Sequence, residues 1–515
     1  MDGLFIMQNN LFQVTGRSLF YELPHGAKLL NDISFTWNFR RCALVGPNGV
    51  GKTTLAKILA GVLAPQCGEL RCSQGVVYLE QVSEPLDQTV GEYLNSLWES
   101  PVADPAVWGL LLQDIPLEQN LKSLSGGQWT RVRIAEALGR GGGLLILDEP
   151  TNNLDREARE LVYRFVREYP GCLLLISHDR ELLEEVDGIW ELSSQGLASY
   201  GGSYSFYEEQ KRAERELLEE KIDRARREKK KLEREHHDKL QSQEKRMRAG
   251  DAKAAKGGIP RIIVGGLKRR AQETHARINV NEEKRVEKSQ ENLRELVQSQ
   301  KLESRLGLDL DAAALPEGKL VFELDQFNLS YSAEGSFLWE EPLTCAMRGP
   351  RRWALYGKNG AGKTSLLDCL LSRSKAVRTT GVCRLGEVPV QVLDQQYSLL
   401  SADHSVLENV MEKSRFDLIE TRNRLAQFQF FGDMVHRKTR DLSGGEKLKA
   451  SLAKILMSQP VPQLLILDEP TNNLDLTSLR VLESALGEFA GALLVVSHDE
   501  VFLQNIGVEA VLEIG

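Results

Sequence analysis

The sequence predicts an α/β protein written twice, with a long helical hairpin between the copies. Three observations predict it. First, four motifs recur in the same order. GPNGVGKT at 46–53 returns as GKNGAGKT at 357–364, and LSGGQ at 124–128 returns as LSGGE at 442–446. LLILDEPTNNLD at 144–155 returns unchanged at 464–475, and LLISHD at 174–179 returns as LVVSHD at 494–499. A repeat of this kind signals a tandem duplication. Second, short apolar runs alternate with helix-length segments in each copy, the pattern of a largely parallel sheet covered by helices. Third, the stretch between the copies is rich in Lys, Glu, Arg, Gln and Leu, which are good helix formers. The expected boundaries are 1–205 for the first α/β unit, 206–316 for the hairpin with its tip near 249–266, and 317–515 for the second unit. At 515 residues the chain is too long for a single core.

Each element has its own signal. RCALVG at 41–46 and RWALYG at 352–357 are apolar runs closed by glycine, as buried strands are. LLIL before Asp148 and before Asp468 is a second buried strand. LLLIS at 173–177 and LLVVS at 493–497 form a third. Between the copies, no Gly or Pro interrupts the chain from SYGGSYSFYEEQ to Ala249, nor from Leu267 to Leu306. About 40 residues of helix span roughly 60 Å. The thin apolar stripe of Leu218, Ile222, Ala225 and Leu232 suits a two-helix hairpin better than burial in a core.

Composition excludes several classes. No apolar run approaches the roughly 20 residues of a membrane span. The start, MDGLFIMQNNLF, lacks a basic stretch ahead of a long apolar core, so no signal peptide is read. Seven scattered cysteines without a CxxC suggest neither zinc nor disulfides nor an iron–sulfur cluster, and fit a reducing, cytoplasmic setting. The net charge of −8 hides an asymmetry. Residues 211–300 carry 26 Lys+Arg against 17 Asp+Glu, a net of +9, which leaves −17 on the rest. Within 245–270 there are nine basic residues and one acidic, Asp251. The field therefore points at a polyanion from one place.

The GxxxxGK[ST] pattern sets backbone N–H groups around phosphate oxygens, with the next helix aiming its positive end at the anion. Candidate phosphate-binding residues are Gly46, Asn48, Gly49, Gly51, Lys52, Thr53 and Thr54 in the first copy. In the second they are Gly357, Asn359, Gly360, Gly362, Lys363, Thr364 and Ser365. Lys52 and Lys363 would reach the outer phosphates, and Thr53 and Thr364 would ligate Mg²⁺. Asp148 and Asp468 end their strands, where a carboxylate can hold Mg²⁺ or its water. Glu149 and Glu469, one step on, would face the attacking water. His178 and His498 close the third strand at the same place in both copies and are expected at the γ-phosphate.

Two phosphate loops, two LSGG[QE] elements and two strand-Asp-Glu-Pro-Thr runs resemble the ATP-binding cassette superfamily. LSGGQ is the specific part, because phosphate-loop proteins in general lack it. The resemblance implies head-to-tail cassettes that share two ATPs at their interface. One site would combine Lys52, Thr53, Thr54, Gln81, Asp148, Glu149 and His178 with Ser443, Gly444 and Gly445. The other would combine Lys363, Thr364, Ser365, Gln395, Asp468, Glu469 and His498 with Ser125, Gly126 and Gly127. Gln396 competes with Gln395 for the glutamine position. The adenine-stacking aromatic expected about 25 residues before the loop is Tyr331 in the second copy. In the first copy Phe20 and Tyr21 both fit. Both copies keep every catalytic residue, so two hydrolysing sites are expected.

The middle segment narrows the resemblance. Its basic tip carries Ile262-Ile263-Val264 between the glycine pairs Gly257-Gly258 and Gly265-Gly266, with Pro260 beside them. Apolar groups held away from a core expect a partner, and clustered Lys and Arg expect phosphates. Lys245, Arg246, Arg248, Lys253, Lys256, Arg261, Lys268, Arg269 and Arg270 are the candidate RNA contacts, the basic residues for the backbone and the apolar ones for shape or base faces, and the few aromatics argue against a single-strand stacking platform. Tandem cassettes, no membrane domain and a basic hairpin resemble the ABC-F proteins over essentially the whole chain. That resemblance implies an ATPase using ATP and Mg²⁺ that works as a monomer with its two cassettes paired. It also implies ribosome binding near the tRNA exit and peptidyl sites, contacting rRNA and tRNA. The sequence departs from the family at Asn153 and Asn473, where most members have His. About 40 residues separate Gln81 from LSGGQ, so no extra arm is expected in the first cassette, and no C-terminal extension is expected after His498. Two rival readings share the cassettes. One is a DNA-acting tandem ATPase, and the other is the ATPase component of a transporter.

Overall fold

The strand β1 (Val14–Glu22) lies between two partners, and its register against both shifts around Ser18. It pairs antiparallel with β2 (Lys28–Thr36) and β4 (Cys67–Cys72) in a small sheet ordered β2-β1-β4. The main sheet holds β3 (Arg41–Val45), β5 (Val76–Leu79), β6 (Leu144–Asp148), β7 (Cys172–Ile176), β8 (Gly188–Ser193) and β9 (Gly196–Gly201). Its order is β5-β6-β7-β3-β8-β9, parallel except for the final β8–β9 hairpin. The computed structural model describes residues 12–24, 26, 28–80, 85–95, 105–140, 143–152, 154–255, 285, 287–294, 313–332, 335–374, 376–472 and 474–514.

The second cassette repeats the plan. Its strands are β10 (Leu320–Ser330), β11 (Leu343–Arg348), β12 (Arg352–Tyr356), β13 (Arg378–Leu385), β14 (Val390–Leu393), β15 (Leu464–Asp468), β16 (Ala492–Val496) and β17 (Ala510–Glu513). The small sheet is ordered β11-β10-β13 and the main one β14-β15-β16-β12-β17. The run LLIL explains itself in both copies. Leu145 and Leu147 face one core while Leu144 and Ile146 face the other, so a strand covered on both sides needs an unbroken apolar run. The same alternation sends Leu465 and Leu467 to one core and Leu464 and Ile466 to the other.

The chain divides into two compact units, Met1–Tyr207 with Arg305–Gly515, and Glu208–Ser304. Both cassettes thus form one unit. The second cassette's packing begins ahead of the boundary read at 317, because Ala313 and Leu315 are already in its cores. The helix Tyr204–Ala255 starts four residues before the second unit and carries on through Gly250. The first residues of the expected tip, 249–255, are therefore helical; glycine costs a helix only about 1 kcal/mol. From Lys211 to Lys239 the least exposed positions are Lys211, Arg215, Leu218, Ile222, Ala225, Lys229, Leu232 and His236. Spacings of four and three alternate without a break, which is the period of a coiled-coil seam. Residues 285 and 287–294 are helical as well.

Candidate functional site

The first phosphate loop leaves β3 and turns into the helix Lys52–Leu59. Gly51 caps that helix with φ 107°, and Gly362 caps its counterpart, Lys363–Leu370, with φ 95°. A side chain there would be strained, and glycine avoids the penalty. Neither helix start has a side-chain cap, so its N–H groups stay open to an anion. Lys52 folds back over the loop, its Nζ donating to Gly46 O at 2.7 Å and Pro47 O at 3.2 Å. Lys363 does the same toward Gly357 O at 2.6 Å.

The carboxylates arrive on β6 and β15. Thr53 Oγ1 donates to Asp148 Oδ2 at 3.0 Å, and the Tyr78 hydroxyl donates to the same oxygen at 2.9 Å. A hydroxyl and a carboxylate thus meet beside the loop. The next residue is strained in both copies: Glu149 has φ 51° and Glu469 φ 46°. Each is pinned by its own N–H, to Ile176 O at 2.7 Å and to Val496 O at 2.9 Å. Left-handed backbone at a non-glycine residue costs on the order of 1–3 kcal/mol and persists only where the surroundings enforce it. Burial pushes the Glu149 carboxyl up to about 8, against the pull of Lys52, and the Glu469 carboxyl up to about 7.

His178 Nε2 lies 3.5 Å from Glu149 Oε1, and His498 Nε2 lies 3.5 Å from Glu469 Oε1. Burial and the nearby lysines lower the two imidazoles to about 3 and about 4, so both are neutral at pH 7. Neither ring nitrogen of His178 has a hydrogen-bond partner among the described residues. A cleft of about 420 Å³ gathers Asn48, Gly49, Gly51, Lys52, Thr53, Thr54, Asp148, Glu149 and His178.

The signature residues open helices. Ser125 and Gln128 cap each other, with Gln128 N donating to Ser125 Oγ at 3.2 Å and Ser125 N donating to Gln128 Oε1 at 3.0 Å. Ser443 and Glu446 form the same capping box before the helix Gly444–Leu456. Gly127 and Gly445 are glycine for close packing, since a Cβ would meet Ala158 Cβ at 2.7 Å and Ser478 Oγ at 2.3 Å. Ser443, Gly444 and Gly445 are not part of the first cleft's lining. What reaches it from the second cassette is Asp475, whose Oδ2 accepts from Asn48 N at 2.8 Å. Burial opposes the Asp475 charge, but that bond and those from Ser478 outweigh it and lower its pKa.

Other residues fall differently. Gln81, Asn153 and Asn473 lie outside the described residues, as do Lys256, Arg261, Lys268, Arg269 and Arg270. Gln395 is exposed, as is Gln396. Arg246, Arg248 and Lys253 lie on the helix Tyr204–Ala255, and Lys245 on it is exposed. The Tyr331 hydroxyl donates to Ser365 Oγ at 2.8 Å, beside the second phosphate loop. Its counterpart in the first cassette is neither Phe20 nor Tyr21. The two copies align at their positive-φ residues, Ser18 (φ 47°) and Gln326 (φ 48°). Tyr331 stands five residues beyond Gln326, and Leu23 stands five beyond Ser18. Leu23 and Leu29 line the first cleft, whereas Tyr21 packs on the core and Phe20 lies under Lys28 Nζ. Tyr78 is the other site residue that motif reading misses, because no motif spans it.

A sequence profile of the ABC transporter family matches residues 30–152 and 341–472. The chain is 31% identical to the uncharacterized ABC transporter ATP-binding protein YfmR of Bacillus subtilis strain 168, over 90% of this chain and 75% of that one. The chain belongs to the ABC-F family. The ribosome protection protein VmlR of Bacillus subtilis strain 168 is 28% identical over 90% of this ABC-F chain and 79% of its own length. Archaeal ribosome recycling factor aABCE1, in its complex with the ribosomal stalk protein aP1, shares the fold with a TM-score of 0.57 at 19% identity. It covers 96% of this chain and 87% of its own. Among the described residues no helix is long and apolar enough to cross a membrane. An ABC-F protein with two cassette domains is an ATP-binding protein of the ATPase type.

Proposed function

We propose that this ABC-F protein is an ATP-gated clamp for the ribosome, with two composite ATP sites. The observation that carries the reading is the bond from Asn48 N–H to Asp475. The phosphate loop of one cassette touches the loop after the catalytic acid of the other, so nucleotide at one site is felt by both cassettes. Ser125, Gly126 and Gly127 would complete the site built on Lys363, and Ser443, Gly444 and Gly445 the site built on Lys52.

The residues present fit Mg²⁺-ATP. No group of three His, Cys, Asp or Glu among the described residues could cage a metal. Mg²⁺ prefers one or two carboxylates with phosphate oxygens and water, and Thr53 with Asp148, or Thr364 with Asp468, would supply the protein's share. The ion would neutralise charge on the phosphates. Lys52 and Lys363 would leave their backbone carbonyls for the outer phosphates. Glu149 and Glu469 would accept the proton of the attacking water as the bond to ADP breaks. Burial raises the basicity of both toward working pH, which favours that role. Neutral His178 and His498 would donate to the γ-phosphate.

The basic hairpin would contact rRNA and tRNA near the exit and peptidyl sites, with residues 245–270 leading. Support comes from the local excess of positive charge and from the relative named as a ribosome protection protein. ATP then acts as a timer: closure binds, hydrolysis releases, and translation is modulated or a stalled or drug-inhibited ribosome is relieved. Co-sedimentation with ribosomes in ATP, ADP or no nucleotide, with branched DNA as competitor at matched salt, tests this. ATP-selective pelleting that DNA does not compete supports the reading. Preference for the DNA replaces it with the DNA-acting alternative.

A further inference from the structure

The two phosphate loops agree closely, but the strands that flank their carboxylates do not. β5 reads VVYL and its counterpart β14 reads VQVL, so Tyr78 in the first cassette stands where Val392 stands in the second. The registers place the two residues alike: Tyr78 lies opposite Ile146 on β6, and Val392 lies opposite Ile466 on β15. Each isoleucine is two residues ahead of the strand-ending aspartate. Alternate residues of a strand share a face, so Ile146 and Asp148 project to the same side, as do Ile466 and Asp468. Two residues of parallel strand advance about 6.6 Å. The phenol of Tyr78 covers that advance and ends at Asp148. Val392 is too short to do the same.

The difference shows at the carboxylates. Asp148 is buried, and its Oδ2 accepts from two hydroxyls carried by different elements, Tyr78 on β5 at 2.9 Å and Thr53 on the phosphate-loop helix at 3.0 Å. Among the described residues no hydroxyl donates to the Asp468 carboxylate. Thr53 is itself a candidate Mg²⁺ ligand, so its hydroxyl has two tasks, whereas that of Tyr78 has one. The Tyr78 ring packs against the core that contains Ile146, which fixes where its hydroxyl points. Hydrogen-bond partners behind a metal ligand orient it, and removing one typically weakens metal affinity about 10- to 100-fold.

We propose that Tyr78 is a positioning residue of the first ATP site, holding the Asp148 carboxylate in place for the Mg²⁺ that accompanies ATP, and that the second site has no such anchor. Asp148 is set before nucleotide arrives. Asp468 has to be ordered as the site fills. The two sites are therefore built differently around the same pair of candidate ligands. The inference deepens the two-site reading above and rests on it.

Nucleotide binding, not turnover, reads this out. Lys363→Glu sets a negative charge against the phosphates of the second site and leaves the first to bind, and Lys52→Glu does the reverse. Each protein is mixed with a non-hydrolysable fluorescent ATP analogue, and MgCl₂ is titrated in. Tyr78→Phe removes the hydroxyl and keeps the ring. In the Lys363→Glu protein it should raise the Mg²⁺ concentration for half-maximal binding about tenfold. In the Lys52→Glu protein the change should stay below about twofold, as for a distant, independent site. With EDTA in place of Mg²⁺, Tyr78→Phe should leave the Kd of the analogue unchanged in both proteins, which a general loosening of the strand would not do. An unchanged or lower Mg²⁺ requirement in the Lys363→Glu protein, an equal rise in both proteins, or an equal loss of affinity in EDTA would overturn the proposal. A single-site protein that binds no analogue, or two per chain, before Tyr78 is touched means that the two-site reading has failed instead.

Discussion

The cassettes are held by a buried ion pair whose removal gives a worked prediction. Arg180 Nη1 and Nη2 grip Glu483 Oε1 and Oε2 at 2.7 and 3.1 Å, one residue from each cassette. The side chains are 7% and 12% exposed. A bidentate pair this dry is unlike a surface bridge, which is worth about 0–1 kcal/mol. Removing one partner strands a buried charge, at a cost of about 3–5 kcal/mol, while replacing both with apolar side chains of similar size is close to neutral. The two single variants should also differ. After Arg180→Met, Glu483 keeps the Asn505 amide at 3.0 Å and can take up a proton. After Glu483→Met, the guanidinium cannot discharge, and its Nε already lacks a partner among the described residues. Closure can be followed by energy transfer between dyes placed one on each cassette. Arg180→Met should raise the ATP concentration for half-closure by about two orders of magnitude, and Glu483→Met by more. The double Met variant should return to within about tenfold of the parent. Single variants that close like the parent, or a double variant as poor as the two losses combined, would refute the claim that this pair is buried and paired across the interface.

Three further outcomes are expected. Leu23→Tyr should tighten a fluorescent adenine nucleotide at the first site several-fold, and Tyr331→Leu should weaken the second by a similar factor, since an aromatic contact adds about 0.5–1.5 kcal/mol. Gly127→Ala should cost about 1–3 kcal/mol in thermal unfolding, because its Cβ would meet Ala158, whereas Gly126→Ala, with nothing within 4 Å, should unfold near the parent temperature. The third concerns pH. Glu149 and Glu469 have folded pKa values raised by burial to about 8 and about 7, so they stay protonated in the fold where the unfolded chain would ionise them. Their contribution to stability is complete below the unfolded carboxyl value and is lost as pH rises through about 7 to 8. In nucleotide-free protein the melting temperature of the parent should fall across that window relative to Glu149→Gln, Glu469→Gln, which should lack this component. A difference that is flat with pH would contradict the assigned burial.

Most of the fold and much of the site could be read in advance because the duplication provides its own control. A buried parallel strand announces itself by an unbroken apolar run, and LLIL did so twice. Phosphate loops are local, so Lys52, Thr53 and their counterparts were legible from spacing alone. The adenine wall was not. The stretch from the shared bulge to the phosphate loop is longer in the second copy, Gln326 to Gly357 against Ser18 to Gly46, so the strand register and the phosphate-loop alignment disagree. Counting back from the loop selected Phe20 and Tyr21, while the strand geometry delivers Leu23. The strain at Glu149 and Glu469 was also hidden, because positive φ at a glutamate follows from the neighbouring β7 and β16 carbonyls and not from the residue. Contacts across the cassettes, such as Arg180 with Glu483 and Asn48 with Asp475, join residues 303 and 427 positions apart in sequence and have no local signature.

The most direct test of the clamp is the protein carrying Glu149→Gln and Glu469→Gln, incubated with ribosomes and ATP and then pelleted. Both proposed general bases are removed while the phosphate loops remain, so ATP should bind and stay. The account predicts that the variant sediments with ribosomes in ATP but not in ADP. It further predicts that reversing the charges of Lys268, Arg269 and Arg270 abolishes sedimentation. A folded, ATP-loaded variant that stays in the supernatant would contradict it.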